Sequence, residues 1–165
     1  MSMTWSPEVA MSKGEIDNFL NQKLVARFAS IKKDGSVHIT PLWYLWEGDF
    51  LYFTLGAGLR PRQHISNLKR DPRVSVIIDR DIRPEVGSIE PGAQAVLVRG
   101  RAELSSDVNL QEEYVRKLWV KYFGITPSGK DLEEDLADGR PGKNRVIAKI
   151  KPHKIIAWDL AKLKL

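Results

Sequence analysis

Several kinds of residue and segment are missing from this sequence. Its 165 residues include no cysteine, so disulfide scaffolds, thiolate metal sites and cysteine nucleophiles are excluded. Only three histidines are present, and they are scattered, so we expect no dedicated metal centre. No apolar run approaches the roughly 20 residues of a membrane-spanning helix, and the amino end has no basic leader or long apolar core of a signal peptide. These absences predict a cytoplasmic protein that does not enter a membrane.

Tails of one charge sign are also missing. The net charge is +5, but the 26 basic residues are interspersed with 21 acidic ones. A moderately basic, mixed surface suits small anionic ligands as well as polymers, so the charge alone does not predict nucleic-acid binding. An apolar share of 42% and a charged share of 28% are typical of a globular protein. The length predicts one domain over 1–165, with a flexible amino end at 1–11.

The hydrophobic patterns and turn signals predict a mainly β chain. Ser12 and Glu15 have capping-box spacing, which predicts a helix over 13–22. Asp34-Gly35 is a hairpin turn signal, and Pro41 indicates an edge strand or a bulge, because proline cannot donate to a sheet ladder. The predicted strands are 24–32, 37–46, 50–55, 74–78, 93–104, 145–150 and 155–160. We expect the first three of them to form an antiparallel meander.

Further helices and irregular segments are predicted in the rest of the chain. Pro61 suits the first turn of a helix whose buried side is formed by Ile65 and Leu68. Asp107 is the expected N-cap of another helix, and Gly100 is an expected bulge within a long strand. Loops are predicted over 79–92 and over 124–143, and the second of them is expected to carry a short helical turn. A final turn is predicted at 151–154. Seven short strands and three helices predict a small antiparallel barrel.

The segment 36–75 combines the features of an anion site. A strand ends at Thr54, a glycine-bearing loop follows, and Arg60 and Arg62 stand where a short basic helix begins. Backbone N–H groups at a helix start favour a phosphate, and arginines add charge-assisted hydrogen bonds. The apolar and aromatic run at 41–44 suits a flat ring that is held by this phosphate. The segment therefore predicts a phosphorylated aromatic cofactor.

The other reactive residues give no convincing catalytic set. Gly56 and Gly58 lack the Gly-Lys-Ser/Thr ending of a P-loop. No two carboxylates form a convincing acid–base pair, so the catalytic residues stay unassigned. Trp43 and Trp46 lie an odd number of positions apart, which puts them on opposite faces of a regular strand. We expect one of them in the core or a dimer interface and the other nearer the cofactor.

Three stretches, taken in order, resemble the pyridoxamine 5'-phosphate oxidase-like flavoproteins. They are FASIKKDGSVHITPLWYLWEGDFLYFT, NLKRDPRVSVII and AVLVRGRAEL. Their order and spacing are fairly specific, and the resemblance covers about 16–160. It implies the FMN-binding split barrel, which is an antiparallel split β-barrel with peripheral helices.

The resemblance also implies a cofactor site. Thr54 matches a position that hydrogen-bonds near the ribityl phosphate. Arg62, Gln63 and His64 occupy the place of the family's phosphate-binding arginine and lysine, with His64 where a lysine is usual. Either Arg60 and Arg62 have taken over the phosphate, or cofactor binding is weaker or altered. A phosphate-binding His64 would contribute most when protonated, so affinity would fall as the pH rises past its pKa. The residues that correspond to the strand along the flavin ring are Thr40, Pro41, Leu42 and Trp43.

The function implied by the resemblance is a flavin- or deazaflavin-dependent oxidoreductase that acts on a small molecule. The cofactor, FMN or the deazaflavin coenzyme, does the redox chemistry, and the protein supplies orientation and electrostatics. Arginines around Pro61 would accommodate the long acidic tail of the deazaflavin coenzyme. Vitamin B6 oxidation is disfavoured, because 155–160 does not have the family's Arg-x-Glu-x-Trp-like ending. The alternatives are a flavin or haem carrier or sensor of the same fold and, less favoured, a basic β-barrel that binds nucleic acid.

The resemblance further implies a homodimer with each cofactor at the seam between two chains. In such dimers a tryptophan- and arginine-bearing segment of the partner often covers the flavin. The candidates for that segment in this sequence are Trp119, Arg145 and Trp158.

Overall fold

One curled antiparallel sheet carries the fold of the described residues, which are 6–59, 62–81 and 93–163 of the computed structural model. Its strands are β1 (Ala26–Ile31), β2 (Val37–Leu42), β3 (Leu45–Glu47), β4 (Phe50–Gly56), β5 (Arg73–Asp81), β6 (Ala93–Ser105) and β7 (Arg145–Asp159). The α-helices are α1 (Lys13–Leu20), α2 (Gln63–Arg70), α3 (Val108–Phe123) and α4 (Gly129–Ala137). None of these helices is long and apolar enough to cross a membrane. The strand order is β2-β1-β5-β6-β7-β4-β3.

The two edge strands of this sheet are joined by only two residues. β2 ends at Leu42 and β3 begins at Leu45, so Trp43 and Tyr44 carry the chain from one end of the strand order to the other. Three residue steps span at most about 11 Å, so the two edges must meet at this point. The sheet is therefore curled, and the predicted antiparallel split barrel is confirmed.

This connection corrects the predicted meander. β1 pairs with β2, and β3 pairs with β4, but β2 and β3 belong to opposite edges of the sheet. The predicted strand 37–46 is thus two strands, because the chain has to change edges between them. Pro41 lies in the edge strand β2, where its missing N–H costs no ladder bond. Its predicted edge position is confirmed.

The helices occupy two different places around the barrel. The predicted capping box of α1 is confirmed: the Ser12 hydroxyl accepts the Glu15 N–H at 3.3 Å, and the Glu15 carboxylate accepts the Ser12 N–H at 2.6 Å. The side chains that α1 and α2 add to the barrel core are Ile16, Phe19, Leu20, Ile65 and Leu68. α3 contacts β4 and β7 on the outer face, where Tyr114 stacks on Tyr52. The separate apolar cluster between α3 and α4 contains Val115, Trp119, Leu132 and Leu136.

Two segments differ from their predicted structure. The segment 124–143 contains the nine-residue helix α4, because the Ser128 hydroxyl accepts the Asp131 N–H at 3.1 Å and caps its first turn. The turn predicted at 151–154 is wrong, since β7 continues through it as one strand. The extra length is absorbed by a shift of register against β6 between Arg99 and Gly100. The irregularity therefore lies beside Gly100, as predicted, but the extra residue is His153 of β7 and not a residue of the strand that contains Gly100.

Element boundaries move by a few residues elsewhere. α1 ends at Leu20, and β5 runs to Asp81 inside the predicted loop 79–92, whose residues 82–92 lie outside the described part. α2 begins after Arg62, and Pro61, predicted in its first turn, is also outside the described residues. The predicted cap of α3 is confirmed, because the Asp107 carboxylate accepts the N–H groups of the second and third helical residues.

The carboxyl end of α3 is fastened to the connection between the two edges. The Tyr122 hydroxyl donates to the Leu24 carbonyl at 2.7 Å and accepts the Tyr44 N–H at 3.2 Å. The Lys121 ammonium donates to the Leu20 and Tyr44 carbonyls and lies 3.8 Å from the centre of the Tyr44 ring. Burial lowers the pKa of Lys121 to about 8. α3 therefore holds the two residues on which closure depends.

Replacing Tyr122 by phenylalanine leaves the Tyr44 N–H and the Leu24 carbonyl without this partner. We expect the free energy of unfolding, measured by urea denaturation, to fall by about 1–2 kcal/mol. Tyr114→Phe is the matched control on the same helix, because its hydroxyl makes one 3.3 Å bond to the exposed Glu47. Its expected loss is smaller, below about 1 kcal/mol, because the variant keeps the ring stacked on Tyr52 and loses only this long hydrogen bond. Equal losses in the two variants would contradict the role given to Tyr122.

Candidate functional site

A cleft of about 430 Å³ lies where the end of β2 meets α3. This size is within the range of pockets that hold small molecules. Its apolar lining is contributed by Val25, Pro41, Leu42 and Trp43 on one side and by Val115, Leu118 and Trp119 of α3 on the other. Its polar lining is contributed by Thr54, Asp135 and Arg145. The cleft thus has apolar walls and one polar, charged end.

Two tryptophans form an aromatic wall of the cleft. The Trp43 ring stacks on Tyr122 with 4.7 Å between centres and 10° between planes, and meets Phe123 edge-on at 5.3 Å. Trp119 packs against Phe123 at 5.0 Å, and its indole N–H donates to the Asp135 carboxylate at 2.9 Å. Trp43 nevertheless remains 44% exposed. The wall is therefore held in position by the protein and still offers aromatic surface to a flat ring.

The polar end of the cleft is built around Arg145, the first residue of β7. Its Nε donates to the Asp135 carbonyl at 2.8 Å, and its guanidinium pairs with the Asp135 carboxylate at 2.8 Å. Its backbone N–H donates to the buried Gln111 side chain at 2.9 Å. Arg145 pairs in register with Gly56, two positions after Thr54, so Arg145 and Thr54 project from the same face of the sheet. A hydroxyl and a fixed guanidinium therefore meet at this end.

A second carboxylate connects Arg145 with Arg62, the N-cap residue of α2. The Asp138 carboxylate lies 3.7 Å from the guanidinium groups of both arginines and accepts the Gly58 N–H at 3.0 Å. Arg140 donates to the Gly58 carbonyl at 3.2 Å. Three arginines from different elements thus converge on the loop that leads from β4 to α2.

Some of the predicted site residues come together in this cleft, and others do not. Arg62 adjoins the cleft through Asp138. Thr40 pairs with the buried Phe28 on the inner side of the sheet, where its hydroxyl lies 2.9 Å from Nε2 of His38. Arg60 lies outside the described residues. The predicted residues that line the cleft are Pro41, Leu42, Trp43 and Thr54.

The two remaining predicted residues, Gln63 and His64, lie in the first turn of α2. The exposed Gln63 amide donates to the Asn67 side chain at 2.9 Å. His64 is 4% exposed, and its Nε2 has no hydrogen-bond partner among the described residues. Burial, with smaller contributions from His38 and Arg62, lowers the pKa of His64 to about 4. The ring is therefore neutral near pH 7, so the pH-dependent attraction predicted for a phosphate would begin only in acid.

The two tryptophans of the first hairpins lie in different places. Trp46 belongs to the core, and its indole N–H donates to the Asp17 carboxylate at 2.7 Å. Trp43 lies at the cleft. Trp43 is outside the regular strands, so the two tryptophans are not on opposite faces of one strand, as their spacing had predicted.

Sequence reasoning missed the acidic half of the polar end. Asp135 and Asp138 lie in a segment predicted as a loop, so neither was given a role. The capping pair Ser128 and Asp131, with leucines four positions apart at 132 and 136, is the signal that predicts α4. Trp119 and Arg145 were candidates for the partner segment that covers the flavin. In this structure both line the cleft of their own chain.

The curled sheet and the cleft at its edge are those of a split-barrel protein. The chain belongs to the pyridoxamine 5'-phosphate oxidase family, whose model matches residues 12–159. A conserved hypothetical protein from Mycobacterium tuberculosis is 25% identical, with a TM-score of 0.78 and coverage of 99% of this chain and 94% of its own. An F420 reductase is 26% identical, with a TM-score of 0.59 and coverage of 84% and 94%.

The fold is shared by more distant structures as well. A heme storage protein from Vibrio cholerae is 13% identical, with a TM-score of 0.63 and coverage of 90% of this chain and 97% of its own. A search of curated proteins gave no match to this sequence.

The depressed pKa makes His64 an acid-sensitive point of the fold. As the pH falls from 6.5 towards 4, the unfolded chain binds a proton at this histidine that the folded chain does not. Its contribution to stability is therefore complete above about pH 6.5 and is lost as the pH drops. Between pH 6.5 and 4.5 we expect the wild type to lose about 2 kcal/mol more than His64→Leu in urea denaturation. His153→Gln, which replaces an exposed histidine, should follow the wild type, and parallel curves for all three proteins would contradict the assignment.

Proposed function

We propose that this protein is a cytoplasmic oxidoreductase that binds FMN or the deazaflavin coenzyme in the cleft between β2 and α3. The observation that carries the proposal is a cleft with an aromatic wall that ends among arginines. Membership of the pyridoxamine 5'-phosphate oxidase family supports it. So does the likeness to an F420 reductase over most of both chains.

The residues of the cleft fit a flavin-type cofactor. Trp43 and Trp119 offer flat apolar surface to the ring system. Thr54 makes no hydrogen bond with other described side chains, so its hydroxyl is available to a ribityl or phosphate oxygen. Arg145 and Arg62 provide charge-assisted donors for the phosphate beyond it. One end of the cleft thus suits the ring and the other suits the anion.

The redox chemistry in this proposal is supplied by the bound cofactor, which accepts and returns electrons or hydride. The protein contributes binding, orientation and exclusion of water. Trp43 is fixed by its stack on Tyr122, so it limits the tilt of a ring placed against it. Arg145 is fixed by Asp135 and Gln111, so it holds an anion in a constant position relative to that ring.

The choice between the two cofactors rests on the arginines. FMN needs donors for one phosphate, which Arg62 and Arg145 supply. The deazaflavin coenzyme carries a long acidic tail, and Arg140, which donates to the Gly58 carbonyl, is a further cation near Arg62 and Arg145 that would accommodate it. Mass spectrometry of the bound molecule distinguishes the two.

A carrier or sensor without turnover is the second candidate. The carboxylate in the cleft, Asp135, is already paired with Arg145 and Trp119, so it is poorly placed to exchange protons with a substrate. The same fold serves a heme storage protein, and a fold alone does not establish turnover. Assays with quinones, nitro compounds and biliverdin-like tetrapyrroles separate an enzyme from a carrier.

The first test is the visible spectrum of the purified protein, followed by heat release and mass determination of any bound cofactor. We expect a yellow protein with FMN, or a protein that binds the deazaflavin coenzyme on titration. A colourless protein that binds neither cofactor and shifts labelled single-stranded DNA would overturn the proposal in favour of a nucleic-acid-binding barrel.

The second test removes the charge of Arg62. Because a hydrogen bond to a charged group contributes about 1.5–3 kcal/mol, we expect Arg62→Ala to weaken FMN binding by roughly tenfold or more in a fluorescence titration. Arg116→Ala is the control, since it removes an exposed arginine of α3 outside the cleft lining. Unchanged affinity in Arg62→Ala would show that the phosphate is held elsewhere.

The proposed enzyme is a homodimer in which a second copy covers the outer face beside the cleft. Val37 and Ile39 of β2 are 59% and 63% exposed there. A cross-strand row on the same face runs through Pro41, Arg27, Ile77, Leu97 and Ile156. The row joins the exposed residues of β2 to half-buried apolar side chains of β5, β6 and β7, with Arg27 between them. An apolar patch of this kind on the surface is typical of an interaction site.

Replacing Ile39 by lysine places a charge at the most exposed, β2 end of this patch without touching the core. We expect the variant to sediment as a monomer at a concentration at which the wild type is a dimer, because burial of an unpaired charge is costly. Val120→Lys is the control, since Val120 is equally an exposed apolar residue but lies on α3. A dimeric Ile39→Lys protein would place the interface on another face.

A further inference from the structure

Asp138 places a carboxylate in the midst of the converging arginines. One carboxylate oxygen accepts the Gly58 N–H at 3.0 Å, and the other lies 3.7 Å from both Arg62 and Arg145. The side chain of Asp138 is only 13% exposed. A backbone N–H and two guanidinium groups around one anion form the kind of donor set that recognises a phosphate.

The two arginines surround this carboxylate without being satisfied by it. A separation of 3.7 Å is too long for a hydrogen bond, so neither Arg62 nor Arg145 donates to Asp138. Arg145 has a closer partner in Asp135 at 2.8 Å, whereas Arg62 has no closer ion pair among the described residues. The set of donors is therefore larger than what one carboxylate uses.

The backbone is shaped to bring Asp138 to this position. A β-carbon on Gly56 would lie 2.8 Å from the carboxyl carbon of Asp138, and a β-carbon on Gly58 would lie 2.8 Å from the Ala137 carbonyl oxygen. The contact at position 58 is with the backbone, so that position requires glycine, whereas a β-carbon at position 56 would meet only the Asp138 carboxylate and would push that side chain aside. Asp138 itself adopts a left-handed backbone with φ of 47°, which is uncommon for a residue with a side chain. The backbone of this loop thus fixes the point from which the Asp138 carboxylate reaches the arginines.

The surrounding loop stays in place if only the carboxylate moves. Asn144 ties this loop together, because its side-chain amide donates to the Ala137 carbonyl at 2.9 Å and to the Arg140 carbonyl at 3.0 Å. Rotation about the side-chain bonds of Asp138 removes the carboxylate from the arginines and breaks a single hydrogen bond, the one from Gly58. The Asp138 carboxylate can therefore leave its position between Arg62 and Arg145 without a rearrangement of the fold.

We propose that Asp138 is an internal occupant of the anion-binding end of the cleft, which a phosphate-bearing ligand has to displace from Arg62, Arg145 and the Gly58 N–H. This proposal rests on the proposed function, since the phosphate is taken to be that of the cofactor. Two anions cannot share this space at low cost, because like charges a few ångströms apart repel strongly in a partly buried site. Asp138 consequently lowers the affinity for phosphate esters and makes the site selective for ligands that bring enough other contacts to displace it.

The test compares FMN with riboflavin, which has the same ring and no phosphate. Dissociation constants are measured by fluorescence titration of the full chain for the wild type, Asp138→Asn and Glu134→Gln. Asp138→Asn removes the charge alone, because the asparagine side chain keeps an acceptor for the Gly58 N–H and tolerates the left-handed backbone. Glu134→Gln is the control, because it removes the same charge from an exposed residue of α4. Asp138→Gly, which also suits this backbone, is a second variant, and thermal melts establish that each protein is folded.

We expect Asp138→Asn and Asp138→Gly to bind FMN about tenfold more tightly than the wild type. Riboflavin binding should be unchanged, and Glu134→Gln should behave as the wild type for both ligands. Equal or weaker FMN binding in the Asp138 variants would overturn the proposal and make Asp138 a residue that positions the arginines. A similar gain for riboflavin would also overturn it, because the effect would then not act on the phosphate.

The proposal is decided separately from the proposed function. If no protein in the series binds FMN, riboflavin or the deazaflavin coenzyme, the proposed function fails. Titration of the same proteins with inorganic phosphate then decides the role of Asp138. If both Asp138 variants, and not Glu134→Gln, bind phosphate more tightly than the wild type, Asp138 is an internal occupant of an anion site. If all the proteins bind phosphate equally, the role proposed for Asp138 is overturned.

Discussion

Closure of the sheet through two residues is the constraint on which the rest of the structure depends. Because both edges of the strand order meet at this point, Tyr44 is buried in the core while its neighbour Trp43 is turned to the outer surface. The N–H and the carbonyl of Tyr44 lie outside the strand ladders, and α3 satisfies them with Tyr122 and Lys121. The helix must therefore end beside the edge strand. The cleft is the space that remains between them, so its aromatic wall follows from the way the barrel closes.

Charge balance organises the other end of the cleft. Arg62, Arg140 and Arg145 come from three different elements, and their mutual repulsion is offset by Asp135 and Asp138. These carboxylates allow the cations to stay close together when no ligand is present. The same carboxylates compete with any anion that approaches. The carboxylates thus stabilise the free protein and at the same time weaken its attraction for an anionic ligand. Such a trade-off between stability and function is common at binding sites.

Local signals were sufficient for the parts of the fold that depend on neighbouring residues. The Asp34-Gly35 hairpin and the capping box at Ser12 follow from backbone chemistry within a few positions. The crossing from one edge of the sheet to the other was not predictable, because nothing between 37 and 46 indicates which strands lie on either side. Likewise, Asp138 meets its partner Gly58 across 80 positions of sequence. A pairing at that distance depends on the whole fold, and the Gly- and Pro-rich composition around α4 favoured a loop.

The separate apolar cluster between α3 and α4 has a consequence for motion. Leu132 and Leu136 pack against Val115 and Trp119, and this cluster is distinct from the barrel core. A unit with its own small cluster opens at a lower free energy than the sheet does. We therefore expect amide hydrogen exchange in α4 to be faster than in β5 and β6, with exchange through local opening. The helix that carries Asp135 is then the less protected side of the molecule, and the sheet is its most protected part.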